Sequence, residues 1–394
     1  MSTMHTAPAA RSSSTACCCS ASTCRLASTA CWPSAWPAAP ASRSTASSRC
    51  TTTRASTPPW WPSGWPRVAE VAERPLRILV VKTTSMGDVV HTLPAITDIA
   101  RAHPGAVIDW LVEAPFAAIA ALHPAVRRVL PIAWRKWRKS LRNPATRAAI
   151  RQLRADLQAE TYDLVIDFQG LLKSVLWAVQ ANGPRAGYDR KSIREPLAAL
   201  FYQRRAAVSR SLHAVDRSRR LAAAHLAYAL PSGAPDFGLR APTPTWQPPS
   251  PHAVLIPCAS RPEKLWPEAD WQAVLAQVQA QGWTPVILWG SPQEQALARR
   301  IAGDSGAVVP PFLSVGDSAA VLAGARLVVG LDTGFTHLAA AFDRPTVGIY
   351  CDHEPGLAGV TGAGFVRSLG GKGQVPSRAD VLAAFRAALP HVEA

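Results

Sequence analysis

From Leu76 onward one unit recurs along the chain: a short unbroken apolar run, a polar turn, then a segment with helical spacing. Arg77-Ile-Leu-Val-Val-Lys-Thr83 is the first such run. It has the pattern of a strand buried on both faces, not of one with a wet side. Asp88 to Ala102 predicts a helix, kinked at Pro94. Strands at 106–113, 128–132 and 162–168 alternate with helices at 115–122, 144–160 and 171–180. Such alternation leaves few architectures beyond a parallel sheet with helices on both faces. Seven prolines between Pro231 and Pro251 interrupt the pattern and read as a linker. The pattern then restarts, with strands at 253–258, 285–289, 307–309, 327–331 and 346–350. The helices of this half fall at 267–281, 293–302, 314–325, 336–342 and 378–389.

The expected fold class is therefore α/β, with two Rossmann-like domains facing a central cleft. They cover residues 76–240 and 252–394, joined by a proline-rich linker at 241–251. Ligands of such sheets sit beyond the carboxyl ends of the strands, and domain interfaces favour pockets.

Residues 1–75 form a low-complexity extension. Up to Arg67 it holds Ser, Thr, Ala, Pro, Trp and Arg, six of the eight cysteines, and no Asp, Glu or Lys. It lacks the apolar core of a signal peptide and the amphipathic helix of a transit peptide. We expect it to be disordered, or spurious sequence ahead of a true start near Val68, Val71 or Leu76.

The 394 residues carry 42 basic and 26 acidic side chains, a formal charge of +16. Removing the six arginines up to Arg67 leaves +10, still basic enough to expect an anionic partner. A hydrophobic share of 48% excludes a chain disordered throughout. No apolar run approaches the roughly 20 residues of a membrane-spanning helix. Past the extension only Cys258 and Cys351 remain, so a reducing compartment is the expectation. No His, Cys, Asp or Glu pair has metal-ligand spacing, and neither metal nor cofactor is expected.

Four segments carry candidate chemistry. Lys82-Thr-Thr-Ser-Met-Gly-Asp88 follows the first strand; Gly87 would let backbone approach a ligand, and Asp88 is either a helix cap or a catalytic carboxylate. Leu331-Asp-Thr-Gly-Phe-Thr-His337 is again strand, turn and helix, a natural cradle for phosphate oxygens or a plain capped turn. Lys264, in the loop 259–267, is either solvated or set to neutralise a phosphate. The stretch after Trp134 holds eight cations before any acid. Four of them, Arg135, Arg138, Lys139 and Arg142, have the spacing of one helical face, which suggests a polyanion or an anionic bilayer. No helix-turn-helix, zinc-finger or RNP pattern supports nucleic acid. Gly170 and Gly187 read as turn residues.

Together, Arg77–Ala95, Trp134–Lys139, Arg194-Glu-Pro-Leu197, Lys264-Leu-Trp-Pro267 and Leu331–Leu338 resemble the lipopolysaccharide heptosyltransferases of glycosyltransferase family 9. The resemblance runs from about Leu76 to the C-terminus. It implies the two-domain GT-B fold and metal-independent, inverting transfer of heptose from ADP-L-glycero-β-D-manno-heptose to Kdo of Kdo2-lipid A. The implied location is the cytoplasmic face of the inner membrane, as a peripheral protein. By position, Asp88 would be the general base and Lys264 would contact the leaving diphosphate. Asp332 would orient the heptose, and Thr333, Gly334 and the helix start at Thr336–His337 would hold the diphosphate. Glu294 would meet the ribose. Arg135, Lys136, Arg138, Lys139 and Arg194 would hold the acceptor's anionic groups. Ala259 and Ser260 replace a pair of threonines at the donor, and Leu313 replaces a methionine beside the adenine. Two alternatives stay open: a paralogue acting later in core assembly, and a non-catalytic nucleotide-sugar or anion-binding protein.

Overall fold

The computed structural model describes residues 74–392; the reading of the N-terminal extension lies, up to residue 73, outside the described residues. The first sheet comprises β1 (Arg77–Val81), β2 (Val107–Glu113), β3 (Val126–Ile132), β4 (Leu164–Asp167), β5 (Arg185–Tyr188) and β6 (Arg204–Ala206). Its helices are α1 (Met86–Val90), α2 (Leu93–Ala102), α3 (Ala117–Ala121), α4 (Trp134–Trp137), α5 (Pro144–Gln158), α6 (Leu172–Ala178) and α7 (Ala214–Leu226). The second sheet comprises β7 (His252–Ile256), β8 (Thr284–Ile287), β9 (Val328–Leu331), β10 (Thr346–Tyr350) and β11 (Val366–Gly370). Its helices are α8 (Glu268–Ala280), α9 (Pro292–Ala302), α10 (Val315–Ala323), α11 (Gly334–Ala341), α12 (Pro355–Ala358) and α13 (Arg378–Ala388).

Every ladder in both sheets is parallel. The first runs β3-β2-β1-β4-β5-β6 and the second β8-β7-β9-β10-β11. These are the two common doubly wound orders, and each reverses direction once. The reversals fall between β1 and β4 and between β7 and β9, where the loops at the strand ends part and leave a crevice.

Strand alternation divides the core. Ile78 and Val80 of β1 join one cluster, while Leu79 and Val81 face the opposite layer with Trp137, Leu153 and Leu157. In β7, Val254 and Ile256 belong to the first cluster, and Ala253 and Leu255 to one around Trp271 and Phe385. The first cluster is continuous from α2 and α7 to α10 and α11, so both sheets share one apolar interior. Each large side chain fully buried there contributes about 1.5–3 kcal/mol.

Four local expectations need correction. The helix expected from Asp88 to Ala102 stops at Val90 and restarts at Leu93. Pro94 has no N–H to give the Val90 carbonyl, so the ladder cannot run through. Arg135, Arg138, Lys139 and Arg142 do not share a helical face: α4 ends at Trp137, and α5 begins only at Pro144, capped by Asn143. The strand expected at 307–309 is a single bridge between Val308 and Val286. Gly187 lies inside β5, not in a turn. A Cβ there would come within 2.4 Å of the Tyr202 ring, so the close approach of that ring explains the glycine.

Candidate active site

The loop leaving β1 is held from behind. Gln169, at the end of β4, accepts the backbone N–H groups of Thr83 and Thr84 at 3.1 and 3.0 Å. That places α1, with Asp88 in its first turn, at the reversal of the first sheet. Asp88 Oδ2 accepts from the Ser85 backbone N–H at 2.7 Å and from the Ser85 hydroxyl at 2.8 Å, so the capping role is present. Its other oxygen, Oδ1, faces the buried Lys82 ammonium at 3.3 Å. Lys82 is anchored by donating to the Phe168 carbonyl at 3.2 Å. Burial works to raise the Asp88 pKa, but Lys82, the Ser85 hydrogen bonds and His91 prevail. They hold the carboxyl well below the usual carboxylate range.

The second sheet supplies the opposite wall. Lys264, in the turn after β7, donates to Asp332 Oδ2 at 2.5 Å and to the Asp332 carbonyl at 3.2 Å. Asp332 stands at the end of β9, directly before α11. His337 Nε2 lies 3.5 Å from its Oδ1. Against the opposing effect of burial, His337 and Lys264 hold the Asp332 carboxyl well below its ordinary value. The N-terminus of α11, beginning at Gly334 after Thr333, adds free backbone N–H groups and a partial positive charge.

The walls meet at two glycines. A Cβ on Gly334 would sit 2.3 Å from Met86 Cγ, and one on Gly87 would sit 3.1 Å from His337 Cδ2. The absent side chains let the starts of α1 and α11 touch. His91 Nε2 then lies 3.3 Å from His337 Nδ1, both rings being buried. Burial, reinforced by His337 and His213, keeps the His91 pKa well below its usual value. A neutral His91 can donate its Nε2–H to His337 Nδ1, while the other ring nitrogen of His337 faces Asp332.

The resulting cleft encloses about 540 Å³. Asp88 and Arg194 line it on the side of the first sheet. Ser260, Lys264 and Glu294, with Asp332, Thr333, Gly334 and His337, line it on the other. Glu294 Oε2 accepts from the Gly290 N–H at 2.7 Å, which leaves its second oxygen for a ligand.

Two expected donor residues lie elsewhere. Leu313 packs into the shared core. The Thr336 hydroxyl is spent on the Leu331 carbonyl at 2.5 Å, because α11 starts two residues earlier than its sequence suggests. Arg135, Lys136, Arg138 and Lys139 do not line the cleft. Arg135 nonetheless acts on Lys173, whose pKa is lowered by burial and then by the Arg135 charge.

Lys173 was not singled out from sequence, yet its ammonium donates to Thr84 Oγ1 at 2.6 Å beside α1. Lys82, Met86, His91 and Trp289 were likewise not assigned roles, and of these Met86, His91 and Trp289 line the cleft. The position of His91 three residues after Asp88, on the same helical face, was the available signal.

Two doubly wound sheets with their strand ends turned on one crevice, an ionised carboxylate on one wall and a lysine–aspartate pair beside a helix start on the other, fit the GT-B class of glycosyltransferases. A model of glycosyltransferase family 9 (heptosyltransferase) matches residues 150–373. Lipopolysaccharide heptosyltransferase 1 of Pseudomonas aeruginosa is 46% identical over 291 residues, 73% of this chain and 82% of that protein. The solved Escherichia coli heptosyltransferase WaaC with ADP superposes with a TM-score of 0.74 at 39% identity, covering 79% of this chain and 100% of that one. The same enzyme with ADP-2-deoxy-2-fluoro heptose gives 0.71 at 39% identity, over 79% and 99% of the two chains. The chain belongs to glycosyltransferase family 9, the heptosyltransferases.

Proposed function

We propose that the protein transfers L-glycero-D-manno-heptose from ADP-L-glycero-β-D-manno-heptose to a Kdo residue of Kdo2-lipid A. On this reading it builds the lipopolysaccharide inner core, inverting the anomeric centre without a metal, as a peripheral protein on the cytoplasmic face of the inner membrane. The relatives' names and the nucleotide-heptose analogue held by WaaC support the donor. The observation that carries the reading is the pairing across one cleft of an ionised Asp88 with the Lys264–Asp332 pair.

A sugar hydroxyl is a poor nucleophile, and a positioned base contributes about 10²–10⁴-fold. Asp88 meets the acceptor hydroxyl as an ionised carboxylate. It takes the proton late, once the new C–O bond has made the attacking oxygen acidic. The ADP leaving group gains negative charge as the old bond breaks. Lys264 and the α11 N-terminus, with Thr333 and Gly334, meet that charge without reorganising. Asp332 is freed to orient the heptose as Lys264 turns to phosphate, and Glu294 and Ser260 hold the nucleoside end. His337 supports Asp332 from the cleft wall, with its Nε2 3.5 Å from Asp332 Oδ1. Arg194, at the cleft, and the exposed Arg135, Lys136, Arg138 and Lys139 beside it hold the acceptor's carboxylates and phosphates.

Mass spectrometry of products from ADP-heptose and defined Kdo2-lipid A tests this. One heptose is expected on Kdo, with equal yield after chelation of divalent ions. Transfer only to an acceptor already carrying heptose would assign the protein to a later step. No ADP release with either acceptor would make it a binding protein.

A further inference from the structure

Five of the ten exposed large apolar side chains among the described residues border the acceptor side of the cleft. The turn Pro196–Phe201 is inverted relative to an ordinary surface turn: Ala198 and Ala199 are fully buried, while Leu197, Leu200 and Phe201 are 59%, 54% and 46% exposed. Beside it, α6 buries Val175 and Trp177 but exposes Leu172 (40%) and Leu176 (54%), which are one helical turn apart. The Leu172 N–H donates to Glu195 Oε2 at 2.7 Å and ties the two elements together. Scattered exposed leucines need no explanation; five large apolar side chains on two joined elements do.

The surroundings are cationic. Arg190, Lys191 and Arg194 precede the turn and Arg205 follows it, all exposed. Trp134 and Trp137 of α4 meet the Trp177 ring at 6.0 and 5.8 Å, which brings the exposed Arg135, Lys136, Arg138 and Lys139 alongside α6. Apolar side chains rimmed by arginine and lysine match an interface of acyl chains below anionic headgroups. The patch also sits where a lipid-borne sugar would enter. Arg194, two residues before the turn, lines the cleft with Asp88, and Lys173 on α6 reaches Thr84 just ahead of α1.

We propose that Leu172, Leu176, Leu197, Leu200 and Phe201 form a docking face for an anionic phospholipid bilayer, holding the mouth of the cleft against the membrane that carries the acceptor. This rests on the reading of a lipid-linked acceptor and adds the surface that meets the lipid. Docking spares the enzyme from lifting the acceptor's acyl chains into water.

Flotation of the full chain with vesicles of phosphatidylethanolamine and phosphatidylglycerol tests it, beside turnover on a water-soluble, deacylated Kdo acceptor. The wild type should float. The double variant Leu197→Gln, Leu200→Gln and, separately, Leu176→Gln should lose about tenfold or more in vesicle binding. Both should keep wild-type turnover on the soluble acceptor and an unchanged melting temperature. A wild type that stays in the aqueous fraction, or variants that float as it does, would overturn the proposal. So would a wild-type dimer that the variants convert to monomers with no change in flotation, since the face would then belong to a second copy. Flotation without turnover on either acceptor would reject the heptose-transfer reading while leaving the docking face in place.

Discussion

At Asp88 two duties share one side chain. Oδ2 closes the first turn of α1 through Ser85, and Oδ1 faces Lys82 and the cleft. Because the folded pKa lies below the ordinary value of about 3.9, the stabilisation from this carboxylate is complete above that value and is lost as pH falls through the folded one. The group is therefore ionised throughout the neutral range. Asp332 and Asp88 stood out in the sequence as candidates because each is a carboxylate near a strand end close to a glycine and a helix start, and Lys264 as a cation in the loop before a proline-led helix. His91 did not, since its partner His337 is 246 positions away and only the fold brings them together. The Nε2 of His91 orients His337, which orients Asp332. His91→Phe should lower kcat by on the order of 10–10²-fold, the cost of misplacing a reacting group, with a smaller change in the donor KM. Gln presents a donor near the same point, so His91→Gln should recover most of the loss. Equal loss in both variants would assign His91 to packing alone.

Elements were read best where a continuous apolar run met a glycine or proline boundary, as at β1, β7, β9 and β10. The reading failed where tertiary packing replaces local pattern. Arg185–Tyr188 and Arg204–Ala206 carry no apolar run, yet they extend the first sheet. Ala214–Leu226 has four charged side chains in 13 residues, yet α7 is half buried. Val215, Leu221, Ala222 and Leu226 join the shared core, and Arg219 beside them donates to Asp98 of α2 at 2.7 and 3.3 Å in a pair nearly sealed from solvent. That pair pins α7 over α2. Asp98→Ala leaves a buried guanidinium unmatched and should cost about 3–5 kcal/mol in urea unfolding. Replacing both partners by apolar residues of similar size, Asp98→Leu with Arg219→Met, should cost much less. Equal losses would show that the pair contributes through shape and not charge. The basic stretch after Trp134 failed for a related reason: its spacing fits a helix, but Asn143 and Pro144 start a new one and α4 stays a single turn.

Across residues 74–392, the alternating pattern announced two parallel sheets, and the reversal in each order fixes where a ligand crevice opens. What no local pattern announced is that α1 and α11 touch through Gly87 and Gly334, which sets the Asp88 carboxylate of one half opposite the Lys264–Asp332 pair of the other. The proposed heptose transfer requires Asp88 to act as the base at this junction and not merely to cap α1. Asp88→Asn keeps a side-chain oxygen that can accept from Ser85, so the cap survives while the negative charge is lost. Parallel measurement of turnover and of ADP-heptose binding by calorimetry in this variant tests the claim most directly. Donor affinity should stay within about twofold of wild type while turnover falls by about 10²–10⁴-fold, with no recovery between pH 5 and 8. Turnover near the wild-type rate, with donor binding intact, would contradict it.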